Sequence, residues 1–367
     1  MNKFTLISAA IVAAGIGGSA YAQSLDQIPE LKYDAEIIVS NLNMPPNIAL
    51  GEAAGVSIDS KGNIYVYSRT GGSGDIDFRR SAQLFEFGPD GKFIREIGGP
   101  NNYVMGWAHS VRIDPQDNIW IVDNGTNLVS KFDQQGRIVM ALGRRKESVQ
   151  PLVEHIENGR IVSESMHGPT NDGMFWEPTD IAFDSKGNLY VSDGYKNTNV
   201  QKFTKDGEFI MRWGTPGSGP GQFRTPHGIA IDAKDNVYVA DRGNNRIQVF
   251  DSNGKYLREV KLDIRYPKDV ELKTPGLVLG ADGRYISMWP NSICISKGPN
   301  PVIWANDITP SVVLKVSLDG KVLGRFGTEG RKKGQFAYMH ELSCGKGDNE
   351  VYLTEMINYR VQKITVH

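Results

Sequence analysis

The run His227-Gly-Ile-Ala-Ile-Asp232, followed by Asp235-Asn-Val-Tyr-Val239, Asn245-Arg-Ile-Gln-Val-Phe250 and Gly254-Lys-Tyr-Leu257, decides the fold of this chain. Each segment is short and rich in β-branched or aromatic residues. Asp-Asn and a Gly-bearing turn sit where tight hairpins need positive φ, so the stretch reads as four antiparallel strands. The same unit recurs along the chain. Gly55-Val-Ser-Ile-Asp59 leads to Gly62-Asn-Ile-Tyr-Val66, Ser110-Val-Arg-Ile-Asp114 to Asp117-Asn-Ile-Trp-Ile121, and Asp180-Ile-Ala-Phe-Asp184 to Gly187-Asn-Leu-Tyr-Val191. Weaker copies start at Ser292 and Glu341. Six four-stranded units around an axis make an all-β, six-bladed β-propeller, which shields strand edges by radial repetition. Blades are expected near 54–98, 108–143, 178–214, 226–260, 290–327 and 338–366, with the N-terminal segment a candidate for helping closure.

Residues 1–22 read differently. Lys3 gives a positive start, Phe4 to Ala20 an apolar stretch, and Ala20-Tyr21-Ala22 a small-x-small cleavage site. The expected product is an exported, periplasmic or secreted propeller of residues 23–367. The formal charge of −1 over 367 residues offers no basic field for nucleic acid, and no later apolar run is long enough to span a membrane. A monomer is expected. Only Cys294 and Cys344 occur, on the first strands of blades five and six and one position out of register. Export would permit a disulfide, but facing opposite ways they read as two buried free thiols.

The position just before each first strand holds, in blade order, Ala54, His109, Thr179, His227, Asn291 and His340. Three of six histidines therefore fall at one register, in alternate blades, a coincidence on the order of one in ten thousand by chance. First strands line a propeller's central channel, so blades two, four and six aim three imidazoles inward at roughly 120°. Three neutral imidazoles with an open position suit catalytic zinc or another first-row transition metal. His155, His167 and His367 read as solvated, and the charged, Gly-rich stretch 144–177 as an insertion that could reshape the site's mouth.

Blades three and four read Pro178-Thr-Asp-Ile-Ala-Phe, Val191-Ser-Asp-Gly-Tyr195, Phe209-Ile-Met-Arg-Trp-Gly214 and Pro220-Gly-Gln-Phe223. They continue with Pro226-His227, Val239-Ala-Asp-Arg242 and Asn245-Arg-Ile-Gln248. With His109-Ser-Val and Met339-His340, this resembles the peptidyl-α-hydroxyglycine α-amidating lyases, six-bladed propellers of NHL-type repeats. The resemblance implies that His109, His227 and His340 are zinc ligands, Tyr195 a catalytic tyrosine, and Arg69 and Arg242 active-site arginines. Arg246, inside the Asn-Arg-Ile-Gln segment, reads instead as a packing residue of the repeat. The implied reaction splits an N-acyl-α-hydroxyglycine, a small or peptide-like α-hydroxy acid, into a primary amide and glyoxylate. Zinc would acidify the hydroxyl, Tyr195 accept its proton, and an arginine hold the carboxylate.

The chain also departs from that family. The family's two disulfides have no counterpart, and Glu341 stands where the family has an aspartate calcium ligand. With the carbonyls of Val56 and Val111, Glu341 leaves Ca2+ as an open alternative. Two other functions compete: a metal-dependent propeller hydrolase or lactonase, and a non-catalytic NHL-repeat binding scaffold.

Overall fold

The computed structural model describes residues 23–70, 82–99, 102–145, 172–266, 289–308 and 311–367, and the backbone of 152–157 and 160–165. The proposed leader, His155 and His167 lie outside these side chains, as does most of the 144–177 insertion. Within the insertion, Leu152–Glu157 and Arg160–Ser165 form a hairpin.

Six four-stranded antiparallel sheets form the blades. In blade four, Pro226–Ile231, Val237–Asp241, Arg246–Phe250 and Tyr256–Lys261 follow one another from channel to rim. Blade six differs. Its three C-terminal strands, Met339–Cys344, Glu350–Glu355 and Arg360–Val366, are completed by Tyr33–Ser40 from the chain's other end. That pairing closes the ring with hydrogen bonds.

The repeat's aspartates build the hairpins. The carboxylate of Asp232 accepts from the Lys234 and Asn236 backbone N–H groups and from the Tyr238 hydroxyl. Asp59, Asp114 and Asp184 do the same in their blades, with the Trp120 indole replacing tyrosine in blade two. These bonds hold the turn residues Gly62, Asp117, Gly187 and Asp235 at positive φ, as Gly-Asn and Asp-Asn foretell.

Between neighbouring sheets lie six apolar clusters, one per interface, rather than a single central core. Phe85, Phe132, Phe203, Phe250 and Trp304 are fully buried among them. The same stacking overturns the free-thiol expectation, because Cys294 and Cys344 form a disulfide across a Cα–Cα distance of 5.7 Å. Each blade packs its front on the next blade's back. Cysteines on opposite pleats of adjacent first strands therefore face one another, and the one-residue offset enables the bridge.

Candidate metal centre at the channel mouth

The three histidines reach the axis through a repeated irregularity. In blade two Ala108 pairs with Asp123 and Ser110 with Val122, leaving His109 as the extra residue of a β-bulge. Bulges at the same place carry His227 between Pro226 and Ile229, and His340 between Met339 and Leu342. A bulge turns one side chain out of the pleat's alternation, here towards the channel. Acids at the ends of the second strands fix the approach. Asp123, Asp193, Asp241 and Glu355 accept the backbone N–H of Gly106, Trp176, Arg224 and Ala337, each three residues before the register position.

His109, His227 and His340 come together with ligand nitrogens within 4.8 Å of one another, all three buried. Each Nδ1 lies against the backbone carbonyl of the register residue in the next blade. His109 meets Thr179 at 2.6 Å, His227 meets Asn291 at 2.8 Å, and His340 meets Ala54 at 2.8 Å. Such bonds place the proton on Nδ1 and leave Nε2 as a lone-pair donor facing the axis, the arrangement expected of metal-ligating histidines. Burial first, and nearby positive charge second, drive the imidazoles well below their ordinary range, His340 to about 3. Neutral, preoriented and convergent, the set fits a nitrogen-loving divalent ion.

Tyr195 points into this set. Its hydroxyl lies 3.1 Å from Nε2 of His227 and 3.2 Å from Nε2 of His109. The preceding Gly194 runs so close to the Pro226 carbonyl that a side chain there would collide with it. The Asp-Gly-Tyr sequence thus lets the loop of blade three cross over blade four.

The two arginines differ. Arg242 donates to the amide oxygen of Asn291 at 3.0 Å, and its guanidinium sits 5.4 Å above the Tyr195 ring. Arg69 donates to the Ala108 carbonyl at 2.9 Å, lies 3.8 Å from Glu52, and covers the Trp107 ring at 4.6 Å. Arg246, read as a packing residue, does pack: it binds Asp241 and Glu259 and two carbonyls.

Two participants escaped the sequence reading. Asn291 shares the register of the histidines, but its residue type alone announces no role. It nevertheless supplies the His227 carbonyl partner, holds Arg242, and donates its side-chain N–H to the His340 carbonyl. Tyr338, two residues before His340 and in left-handed backbone at φ 55°, shares the mouth electrostatically with Tyr195, Arg242 and Arg69. Burial raises its phenol above the usual range.

Calcium does not fit the residues assigned to it. The Glu341 carboxylate accepts from the Ser110 hydroxyl at 2.7 Å and the Val56 N–H at 3.2 Å, with a further bond from the Val111 N–H. The Arg112 guanidinium pairs with it at 2.6 Å. Val56 and Val111 thus turn N–H groups to Glu341, and a cation is already present.

A family model described as a 6-bladed beta-propeller matches residues 170–282. The chain is 32% identical over 232 residues to a peptidylglycine alpha-amidating monooxygenase of Rattus norvegicus, covering 58% of this chain and 22% of that protein. It is 28% identical over 186 residues to a peptidyl-alpha-hydroxyglycine alpha-amidating lyase of Drosophila melanogaster, covering 46% of this chain and 30% of the relative. The chain is a six-bladed β-propeller with partial sequence similarity to amidating enzymes. The matched part spans less than a third of either relative. Among solved structures, virginiamycin B lyase from Staphylococcus aureus superposes with a TM-score of 0.55 at 16% identity, covering 92% of this chain and 100% of that one, a likeness of fold alone.

Proposed function

We propose that this propeller is a metal-dependent carbon–nitrogen lyase acting on N-acyl-α-hydroxyglycines or close α-hydroxy acid analogues. One observation carries the reading: three buried Nε2 atoms converge from alternate blades, and the hydroxyl of Tyr195 lies within 3.2 Å of two of them. A bound zinc-type ion would supply Lewis acidity to the substrate hydroxyl. Tyr195 would accept the hydroxyl proton, its ring held under the Arg242 guanidinium. Arg242, whose hydrogen-bond partner is a neutral amide, would seat the carboxylate. The C–N bond would then break, the hydroxyl carbon becoming the aldehyde of glyoxylate, and Tyr195 would pass the proton to the departing nitrogen, which leaves as a primary amide. No water is consumed. Similarity to amidating enzymes supports this reading, as does the nitrogen-only donor set, since lactone-hydrolysing sites on hard cations need oxygen ligands. Export, with cleavage after Ala22, belongs to the proposal and agrees with a disulfide between blades.

The test is metal content per chain beside glyoxylate release from α-hydroxyhippurate, for the wild type and His227→Ala. About one transition-metal ion per wild-type chain, with glyoxylate formed, and both lost in the variant, is the expected result. Wild-type protein that retains no metal after zinc supplementation overturns the metal centre. Metal without glyoxylate overturns the reaction.

A further inference from the structure

Beneath the three histidines, a buried charge network crosses the channel. Arg112, from the first strand of blade two, sends Nε and a terminal nitrogen to the Asp180 carboxylate of blade three, at 2.9 and 2.7 Å. Its other terminal nitrogen lies 2.6 Å from Glu341 and 3.1 Å from the Leu342 carbonyl, both in blade six. The Ser110 hydroxyl sits 2.7 Å from both carboxylates and completes the ring. Asp180 also accepts the Ile229 N–H of blade four at 3.2 Å, and Glu341 the Val56 N–H of blade one. Five of six blades are thereby fastened to one guanidinium and its two acids.

The attachment points decide what the network does. Ser110 follows His109, Glu341 follows His340, and Ile229 lies two residues past His227. Asp180 follows Thr179, whose carbonyl holds His109. Every ligand strand is thus gripped within two residues of its histidine. Between the imidazoles and the two acids remains a space of only about 10 Å³, lined by His109, His227, His340, Asp180 and Glu341, about enough for one water. The charge network and the donor set form one packed unit.

We propose that Arg112 is the positioning residue of the metal centre, a built-in cation that sets the spacing of the three histidines and does the work of a separate divalent ion. Two buried acids face one another across the channel, and when both are ionised they need a bridge. A guanidinium bridges both with fixed, planar geometry, which an ammonium cannot. Remove it, and Asp180, Glu341 and Ser110 become a hard-oxygen set suited to calcium. Outer partners of metal ligands typically govern affinity by tenfold to a hundredfold.

The inference rests on the metal centre proposed above, and the experiment separates the two. Zinc affinity by chelator competition and the visible spectrum of the cobalt(II)-substituted protein are measured for wild type, Arg112→Met and Arg112→Lys, each with and without millimolar Ca2+. The wild type should bind zinc and ignore calcium. Arg112→Met should bind zinc at least tenfold more weakly and show a changed cobalt spectrum, with calcium restoring both; Arg112→Lys should fall between. Arg112→Met that keeps wild-type affinity and spectrum refutes the positioning role. Calcium-dependent melting or zinc binding in the wild type refutes the built-in cation. If Arg112→Met does not fold, Arg112→Lys and the wild-type calcium response decide by the same criteria. A wild type that binds neither zinc nor cobalt sinks the metal centre itself. In that case a melting temperature of Arg112→Met that rises with calcium, beside an unresponsive wild type, still supports the built-in cation, and its absence refutes it.

Discussion

The hydroxyl of Tyr195 stands 3.1 Å from Nε2 of His227, although the two residues belong to different blades. Gly194 makes the approach by letting its backbone press against Pro226, the neighbour of His227. Phenol and imidazole are therefore positioned by one loop crossing, and the tyrosine touches the three-histidine set without belonging to it.

Tyr195→Phe should consequently leave metal content unchanged, because no imidazole loses its carbonyl partner. Loss of a positioned acid–base group costs typically 10²–10⁴ in rate, and glyoxylate release should fall by that order. A variant that loses metal in proportion to activity would make Tyr195 a ligand-organising residue instead.

The depressed imidazoles give a pH signature. Their folded pKa values lie below the unfolded value near 6.5, so the metal-free folded state refuses protons that the unfolded chain accepts. Stability of the metal-free protein should be full above pH 6.5 and decline as pH falls towards the folded values, by up to about 1.4 kcal/mol per pH unit for each histidine. Over the same window zinc uptake should release almost no protons, where three ordinary histidines would release several at pH 5.5. Titration calorimetry in buffers of differing ionisation enthalpy measures this. Release of two or three protons would show that the rings are charged before metal arrives.

The arginines should separate kinetically. Arg242 is held by the neutral amide of Asn291, whereas Arg69 faces Glu52 and bonds a carbonyl. Arg242→Ala should raise KM for carboxylate substrates tenfold or more, with a far smaller effect on the corresponding methyl ester. Asn291→Ala should produce a milder version, since the backbone carbonyl that orients His227 remains. Equal losses on acid and ester would assign Arg242 to something other than the carboxylate.

How far the sequence foretold this site depends on what each feature needs. The repeat and the alternate-blade histidines are local patterns, and the turn residues announce their own backbone. Asn291 and Arg112 are different. Their roles arise only when separate blades meet around the axis, so Arg112 reads as one more polar residue in Ser110-Val-Arg-Ile-Asp114. The cysteines mislead for a related reason: opposite pleats within one sheet imply divergence, but sheets stacked front to back convert it into contact. Calcium is a further case, because the shared register places Glu341 but does not announce the Arg112 guanidinium that stands against it.

The disulfide should contribute measurably. It closes a sequence separation of 50 residues, for which chain entropy gives about 4 kcal/mol and typical bridges 2–4 kcal/mol. Replacing both cysteines with serine should lower the melting temperature by several degrees while leaving zinc affinity unchanged, since the bridge lies away from the imidazoles. Intact mass of the exported chain provides a second check: it should begin at Gln23 and carry the mass of the oxidised pair. Identical melting with and without reductant would remove the bridge from the stability of the ring.

Closure of the ring is the most demanding expectation. Tyr33–Ser40 is the outer strand of blade six, pairing from Tyr33–Val366 to Ser40–Arg360, and Val39 is fully buried against blade one. Without this strand, Arg360–Val366 becomes an exposed edge, and the interfaces of blade six with blades one and five lose apolar contacts. Val39→Asp should cost several kcal/mol by burying an unpaired carboxylate, while Glu36→Lys, on the exposed face of the same strand, should be close to neutral. A chain starting at Asn41 should lose cooperative melting and, with it, the convergence of blades two, four and six that zinc binding requires. If that shortened chain melts as sharply as the full one and still binds zinc, the ring holds without its N-terminal strand, and the interfaces between blades suffice.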